Sequence, residues 1–490
     1  MLFLNKFFKR FFEKNLFLLV LVTYIVSRLF FLSKYPYFYD SPEYLRESFS
    51  NNFFSSLQKS HESIHPIYLF LTQLFQKIIQ GENTWELSLI SGLFGVGSFI
   101  LFYILINKLF NKKTALYSLI PLIFFKHTWL IETNILHESI DHFFLIAGIL
   151  SFIYFLDKKR FYLFIISIFF WVLGILNFPG IVIWFIPIFA FILLRKKVDK
   201  KDFLYLFLGV FISLFIGLIL SKTLLDISKT QGLFRLENLY RDHGINILFK
   251  DLNFLNILRS FRNVFLILVN GYSYASLISV IIFIIFIIKE KNTKMIVFSL
   301  FFLIPFFLTG KYWYGGLYGR YSSFIAYFLA IIFSFIYLKS KKIYFLLLLT
   351  LIVSFTPTFI KYQQTPIYLI QNNLIKKIDI EKEDIIILSD YQRPQLELKN
   401  SYFLLPDQNR NKEIENLVSV KLLSKKGRVF ITKQAINYPY WQYDGQEIHI
   451  ISKGNLGKAY LKSYLLDKEI VLVSFDEEYP LLDVYEIKSK

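Results

Sequence analysis

Residues 132–160 read ETNILHESIDHFFLIAGILSFIYFLDKKR, and the fold class turns on how this stretch is read. Its middle, 139–156, is apolar over a length close to that of a bilayer core. Its end, 157–160, is basic, while its start carries Glu132, His137, Glu138, Asp141 and His142. An apolar run with two such unlike ends reads as a membrane span. Lys and Arg are retained on the cytoplasmic side, and ionisable groups at the other edge are costly enough to need a reason.

The same unit recurs on both sides of this stretch. Apolar runs lie near 16–33, 87–106, 114–131, 139–156, 161–178, 180–194, 203–221, 270–288, 294–309, 321–338 and 342–360. The connections 107–113, 157–160, 195–202, 289–294 and 339–342 are basic, as is the N-terminus with Lys6, Lys9, Arg10 and Lys14. All fall on one side, which the positive-inside rule makes cytoplasmic, so eleven spans leave the C-terminus outside. No small-residue cleavage site follows the first run, which reads as a retained span rather than a signal peptide. Composition agrees: 55% of residues are hydrophobic, 58 are Phe, and mean hydropathy is +0.48. A soluble chain of this make-up would expose many apolar faces. The formal charge of +19 sits in short clusters between apolar runs, so it sets topology and does not point to nucleic acid. Cysteine is absent, which excludes disulfides and thiolate metal sites.

On the opposite side lie 34–86, a short loop near 126–137, a longer one at 222–269, and a Gly- and Tyr-rich one at 310–320. Within the first, 65–80 (HPIYLFLTQLFQKIIQ) is apolar but short and reads as an interfacial helix. Pro121, Pro179, Pro187, Pro305 and Pro357 are expected to kink or end helices. From about residue 361 polar residues become common. Short apolar runs at 385–388, 428–431, 448–451 and 470–473 look like strands, and 411–425 and 455–466 have helical spacing. The expected architecture is a polytopic α-helical membrane protein of about eleven transmembrane helices, 1–360. A small C-terminal α/β extracytoplasmic domain, 361–490, follows.

Several polar groups carry chemical interest. Asp40 and Glu43, in FYDSPEYL (38–45), open the first outer loop; Asp40 and Ser41 equally read as the cap of a helix starting at Pro42. His137/Asp141 and Glu138/His142 are i,i+4 pairs that share faces on a helix. The sequence resembles HExxH but ends in Asp141. A divalent metal on Asp40, His137, Glu138 and Asp141, with His61 or His65, stays open beside a hydrated loop whose groups satisfy one another. Lys311, Arg320 and Tyr321 flank three glycines and suit a phosphate, or else form an aromatic belt with a snorkelling Arg. Arg28 reads as such an anchor.

These features occur in a familiar order. Arg28, Asp40, Ser41, Pro42 and Glu43 are followed by His65-Pro66 and Gly81. A basic turn at 108–113 precedes Glu132 and Glu138; Asn177-Phe-Pro-Gly180 and a late Arg320-Tyr321 follow. The pattern resembles the GT-C superfamily of membrane glycosyltransferases, especially the branch of protein O-mannosyltransferases and aminoarabinose lipid A transferases. The resemblance covers roughly 1–360, with most of it in the first 180 residues. It implies transfer of a sugar from a polyprenyl-phosphate donor to a lipid, glycan or protein acceptor at the outer face, with Asp40 as general base. It also implies that Arg320 with Lys311 stabilises the departing phosphate, while His65, Glu132 and Glu138 line the cavity. The first motif reads Asp-Ser-Pro-Glu instead of paired Asp-Glu, and Glu138 is preceded by His137. Two other membrane functions compete: a surface-polysaccharide ligase or polymerase using Arg235, Arg241, Asp242 and His243, and a transporter or lipid flippase. The latter predicts internal repeats; none is visible.

Overall fold

The structure is a computed structural model that describes residues 2–33, 41–48, 52–59, 65–79, 84–195, 198–227, 254–310, 323–361, 367–381, 383–389, 401–404, 408–424, 426–437, 441–444, 447–450, 465, 468–477 and 479–489. The chain divides into a helical unit, 1–34 with 43–359, and a second unit made chiefly of 360–490.

The helical unit contains α1 (Leu2–Leu29), α2 (Ser41–Ser48), α3 (Phe53–Lys59), α4 (Pro66–Ile79), α5 (Thr84–Leu109), α6 (Lys112–Phe124), α7 (Lys126–Thr133), α8 (Glu138–Lys158) and α9 (Phe161–Asn177). A 3-10 turn (Pro179–Phe185) leads into α10 (Ile186–Leu193). Then come α11 (Lys200–Ile227), α12 (Phe254–Tyr272), α13 (Tyr274–Lys289), α14 (Thr293–Gly310), α15 (Ile325–Lys339) and α16 (Lys341–Lys361). Each of the eleven long apolar runs read from the sequence is helical over most of its described residues. By length and composition, four of these helices can cross a membrane, and up to six spans result if the bent pairs α6–α7 and α12–α13 each count as one. The remaining five are apolar but shorter.

Burial sorts the helices. In α8, 83% of the best membrane window is inside the protein, against 22% for α11 and for α16. So α8 runs through the middle, packed against α5 and α9, and is apolar all round because it has no outward face. In contrast α11 exposes Leu204, Phe207, Leu208, Phe211, Phe215 and Ile219, with Phe207, Phe211 and Phe215 stacked ring on ring. Such a surface suits lipid and not water. Helix α4 is inverted in the same sense: it buries Thr72, Gln73 and Gln76 and exposes Phe70, Leu74 and Ile78, one stripe at i, i+4, i+8.

Two expectations change. The segment 126–137 is largely not a loop, because α7 continues α6 after a 71° bend. Pro121 cannot donate to the carbonyl of Tyr117, and Tyr344 Oη donates to it instead, at 3.2 Å. The bend falls at Phe125, where α6 has ended and its last carbonyls lack helical partners; Arg28 satisfies those of Leu122 and Ile123, each at 2.9 Å. Arg28 is therefore not a snorkelling anchor: it is fully buried. The outer segment 222–269 is also partly helical, since α11 runs to Ile227 and α12 bends 120° into α13.

The basic connections do gather at one end. Arg195 reaches Asp157 at 2.9 Å and Asp202 at 2.6 Å, and Lys108 also pairs with Asp157. Lys113 lies over the Tyr337 ring, and Lys339 pairs with Glu290.

The second unit holds a five-stranded sheet, in spatial order β2 (Ser401–Leu404), β1 (Ile385–Ser389), β3 (Val429–Thr432), β7 (Val484–Ser489), β6 (Lys468–Ser474). Strand β1 is parallel to β2 and β3, while β7 is antiparallel to β3 and β6. Ile385 and Ile387 pack with Val418 of α18 (Gln408–Ser424), and Ile386 and Leu388 with Leu374 of α17 (Ile367–Lys376). Covered on both faces, the central strands are continuously apolar. The short α19 (Lys433–Asn437) follows β3, and β4 (Trp441–Asp444) pairs with β5 (Glu447–Ile450) as a separate ribbon. The helical pattern at 455–466 lies outside the described residues, except Leu465.

Candidate active site

The end of the helical unit opposite the basic connections is built on the first two turns of α8. Helical spacing puts Glu138, Asp141, His142 and Leu145 on one strip, at i, i+3, i+4 and i+7. That strip lines a narrow cleft together with Phe178, Ile181, Trp184, Ser323 and Phe324.

Asn177 organises the polar side. Helix α9 ends there because Pro179 pushes Phe178 into an extended conformation (φ −152°, ψ 104°). Its side chain accepts from the Tyr68 backbone N–H at 2.8 Å and donates to Asp141 Oδ1 at 2.6 Å. Its carbonyl accepts from His65 Nδ1 at 2.9 Å, which fixes the His65 proton on Nδ1. One residue thus ties α4, α8 and α9 together. Asp141 Oδ2 also receives His137 Nδ1 at 2.8 Å. The His65 and His137 rings stack at 3.6 Å between centroids, with Phe178 beside both. Glu138 Oε1 is 3.5 Å from His137 Nε2. Buried carboxylates and imidazoles side by side can accept, hold and pass protons and take up hydroxyl groups, which a hydrated loop would leave to water.

Of the residues singled out from the sequence, His65, His137, Glu138 and Asp141 meet here. Glu132 does not line the cleft. Its carboxylate faces α1, where Tyr24 Oη donates at 2.6 Å and Arg28 Nε at 2.7 Å, all three side chains being buried. Gly95 leaves the room, since a Cβ there would stand 2.6 Å from Glu132 Cγ. Asp40, Lys311, Arg320 and Tyr321 lie outside the described residues, as do Arg235, Arg241, Asp242 and His243 of the polymerase reading. Glu43 belongs to α2, with its side chain outside them. No three His, Asp or Glu side chains among the described residues are grouped to hold a metal ion. Asn177 entered the sequence reading only as part of the turn Asn177-Phe-Pro-Gly180, without a role in the site, and Ser323 and Trp184 escaped it.

Residues 63–220 match the family model of dolichyl-phosphate-mannose-protein mannosyltransferase, a stretch that includes His65, all of α8 and Asn177. No curated protein sequence matches the chain. Among solved structures it is similar to ArnT from Cupriavidus metallidurans bound to undecaprenyl phosphate, with a TM-score of 0.53 at 10% identity over 97% of each chain. It is also similar to the Archaeoglobus fulgidus oligosaccharyltransferase in the apo form, with a TM-score of 0.53 at 12% identity over 96% of this chain and 81% of that one. The resemblance read from the sequence holds, and the chain carries the fold of the GT-C membrane glycosyltransferases.

Proposed function

We propose that the protein is a membrane glycosyltransferase that moves a sugar from a polyprenyl-phosphate donor to a lipid, glycan or protein acceptor at the outer face of the cell membrane. One observation carries the reading. Buried carboxylates and imidazoles converge beside an aromatic cleft at one end of the bundle, while the basic connections gather at the other. The family match over 63–220 and the fold shared with ArnT support it.

In this reading the chain spans the membrane eleven times. Its N-terminus is cytoplasmic and residues 361–490 lie outside. Asp40 takes the proton of the acceptor hydroxyl as its oxygen attacks the anomeric carbon. The bond from that carbon to the phosphate oxygen breaks, and polyprenyl phosphate leaves with the bonding pair. Attack opposite the leaving group inverts the anomeric centre. Arg320 and Lys311 stabilise the charge gathering on the phosphate. Glu43, His65, His137, Glu138 and Tyr321 hold the substrates. Glu132 is reassigned to holding α1 against the α6–α7 bend.

Full-length protein in liposomes, given radiolabelled polyprenyl-phosphate sugars and membrane extract as acceptor source, should transfer label. Asp40→Asn should lower the rate by about 10²-fold or more, the usual scale of a lost general base. Equal rates for Asn and Asp at position 40 would sink the base assignment. Absence of transfer with every donor sugar offered would remove the function itself.

A further inference from the structure

Asp141 is engaged by His137 and Asn177, whereas His142, also buried in the cleft, has no task in the mechanism above. His142 stands on the second turn of α8, 5% exposed, and lines the cleft beside Glu138 and Asp141. Its two ring nitrogens have different fates. Nε2 lies 2.9 Å from Ser323 Oγ, a hydrogen bond between positions 181 residues apart. Nδ1 has no hydrogen-bond partner among the described residues. The ring itself is fixed by Phe324, 5.7 Å away between centroids, and by Tyr327, edge-on at 5.4 Å.

Ser323 is gripped a second time: its carbonyl accepts from Tyr272 Oη at 3.2 Å. Tyr272 is fully buried and is the last residue of α12, at the 120° break before α13. Ser323, two residues ahead of α15, is thus held from both α8 and α12, and His142 is the cleft side of that fixing. A buried ring nitrogen without a partner, on a residue that lines a cleft, with its ring locked and its other nitrogen engaged, is a poor arrangement for stability alone. Leaving such an atom unpaired is unfavourable, because its desolvation is not repaid. A bound group that supplies the missing hydrogen bond removes that cost.

We infer that His142 is a specificity and positioning residue for the transferred sugar: Nε2 holds Ser323, and Nδ1 takes one hydroxyl of the sugar ring in the cleft. The inference rests on the glycosyltransferase reading and deepens it. A hydroxyl fits because it both donates and accepts, and so suits either tautomer of a neutral imidazole. The rest of the lining agrees. Glu138 and Asp141 are acceptors for further hydroxyls, while Phe178, Trp184 and Phe324 offer apolar surface to the C–H face of a sugar ring. A bare phosphate is the wrong occupant, since two carboxylates line this cleft and no Lys or Arg does among the described residues.

The two roles separate by substitution. A Gln side chain at 142 reaches where Nε2 stood and keeps Ser323. An Asn side chain mimics Nδ1 and releases Ser323. The probes are polyprenyl phosphate bearing mannose, galactose or arabinose, each compared with bare polyprenyl phosphate, with binding to the full-length protein in nanodiscs read from Trp fluorescence. The wild type should prefer at least one sugar-bearing lipid. His142→Gln should lose about tenfold of that preference, the scale of one hydrogen bond, with bare-lipid affinity unchanged. His142→Asn and Ser323→Ala should keep the preference and lower turnover instead. A preference undiminished in His142→Gln overturns the inference and leaves the glycosyltransferase reading standing. A wild type that binds no sugar-bearing lipid better than the bare one overturns both. If neither His142 variant folds, imidazole ¹⁵N resonances of the wild type decide. One histidine Nδ1 should shift with sugar-bearing lipid and not with bare lipid, and no shift overturns the inference.

Discussion

The two ends of the helical unit both carry ion pairs, and they use them in opposite ways. At the basic end Lys108 and Asp157 keep 28% and 34% of their side-chain surface exposed, and Lys339 and Glu290 41% each. In these pairs charge remains partly exposed, although Arg195 and Asp202 at the same end are buried, at 11% and 4%. At the other end Arg28 and Glu132 are both at 0%, and His137 and Asp141 at 1% and 7%. A charge removed from water must be matched group by group, so each of these side chains has a named partner at 2.6–2.9 Å. The half-exposed pairs are expected to tolerate substitution, and the buried ones are not.

The largest test of that contrast is Arg28→Ala. It leaves the Glu132 carboxylate buried without its guanidinium and frees the carbonyls of Leu122 and Ile123. Loss of one partner of a buried pair costs about 3–5 kcal/mol, which should appear as a drop in unfolding temperature in detergent. Arg28→Met with Glu132→Leu should recover much of it, because the unpaired charge is gone. If Arg28→Ala melts no lower than Lys108→Ala, the contrast between the ends is wrong.

The sequence announces the runs of α5, α8, α11 and α16, because lipid demands uninterrupted apolar stretches and water does not. The basic connections were equally legible, since exposed Lys and Arg need no partner to be interpreted. The bends were harder. Pro121 was visible, but the break at Phe125 depends on Arg28, about a hundred residues away, to receive the freed carbonyls. For the same reason the site was read only in part. His137 and Asp141 are four apart on one strip and could be paired by eye. The hub Asn177 could not, because its partners Tyr68, Asp141 and His65 come from two other elements. In the second unit the strands at 385–389, 429–432 and 468–474 stood out as apolar runs. Ser401–Leu404 and Val484–Ser489 are too short or too polar to do so.

Asn177→Ala should cost about 1–3 kcal/mol, because it strands Asp141 Oδ1 and the Tyr68 N–H in a buried place. It should also lower transfer by disturbing His65. Asn177→Asp would separate the two effects, keeping the acceptor for Tyr68 while setting a second carboxylate against Asp141. A smaller effect is expected of Asp384, outside the membrane segments. Burial pushes its carboxyl up, but Arg428 outweighs this through its side chain, at 2.7 and 3.0 Å, and its backbone N–H, at 2.6 Å, and the net result lies below the ordinary range. A depressed carboxyl stabilises the fold at every pH above its unfolded value of about 3.9. That stability, on the order of 1 kcal/mol for a partner 38% exposed, should fade as pH falls below about 4. Hydrogen exchange of the β1 and β3 amides should report it, and Asp384→Asn should flatten the dependence.

The smallest effect belongs to Lys108→Ala at the basic end. The pair with Asp157 is partly hydrated, and Arg195 stays on Asp157 at 2.9 Å when Lys108 is gone. The Lys108 ammonium also lies 4.8 Å from the Tyr154 ring centroid, a contact of comparable weakness where water reaches it. The expected loss is about 0.5 kcal/mol, shrinking further at high salt as screening grows. That salt dependence is the sharper measurement, because Arg28 and Glu132 are both fully buried and their pair should melt alike at low and high salt. Equal salt sensitivity of the Lys108–Asp157 and Arg28–Glu132 pairs would mean that water reaches Glu132, and the division between a hydrated pair and a dry one would fall with it.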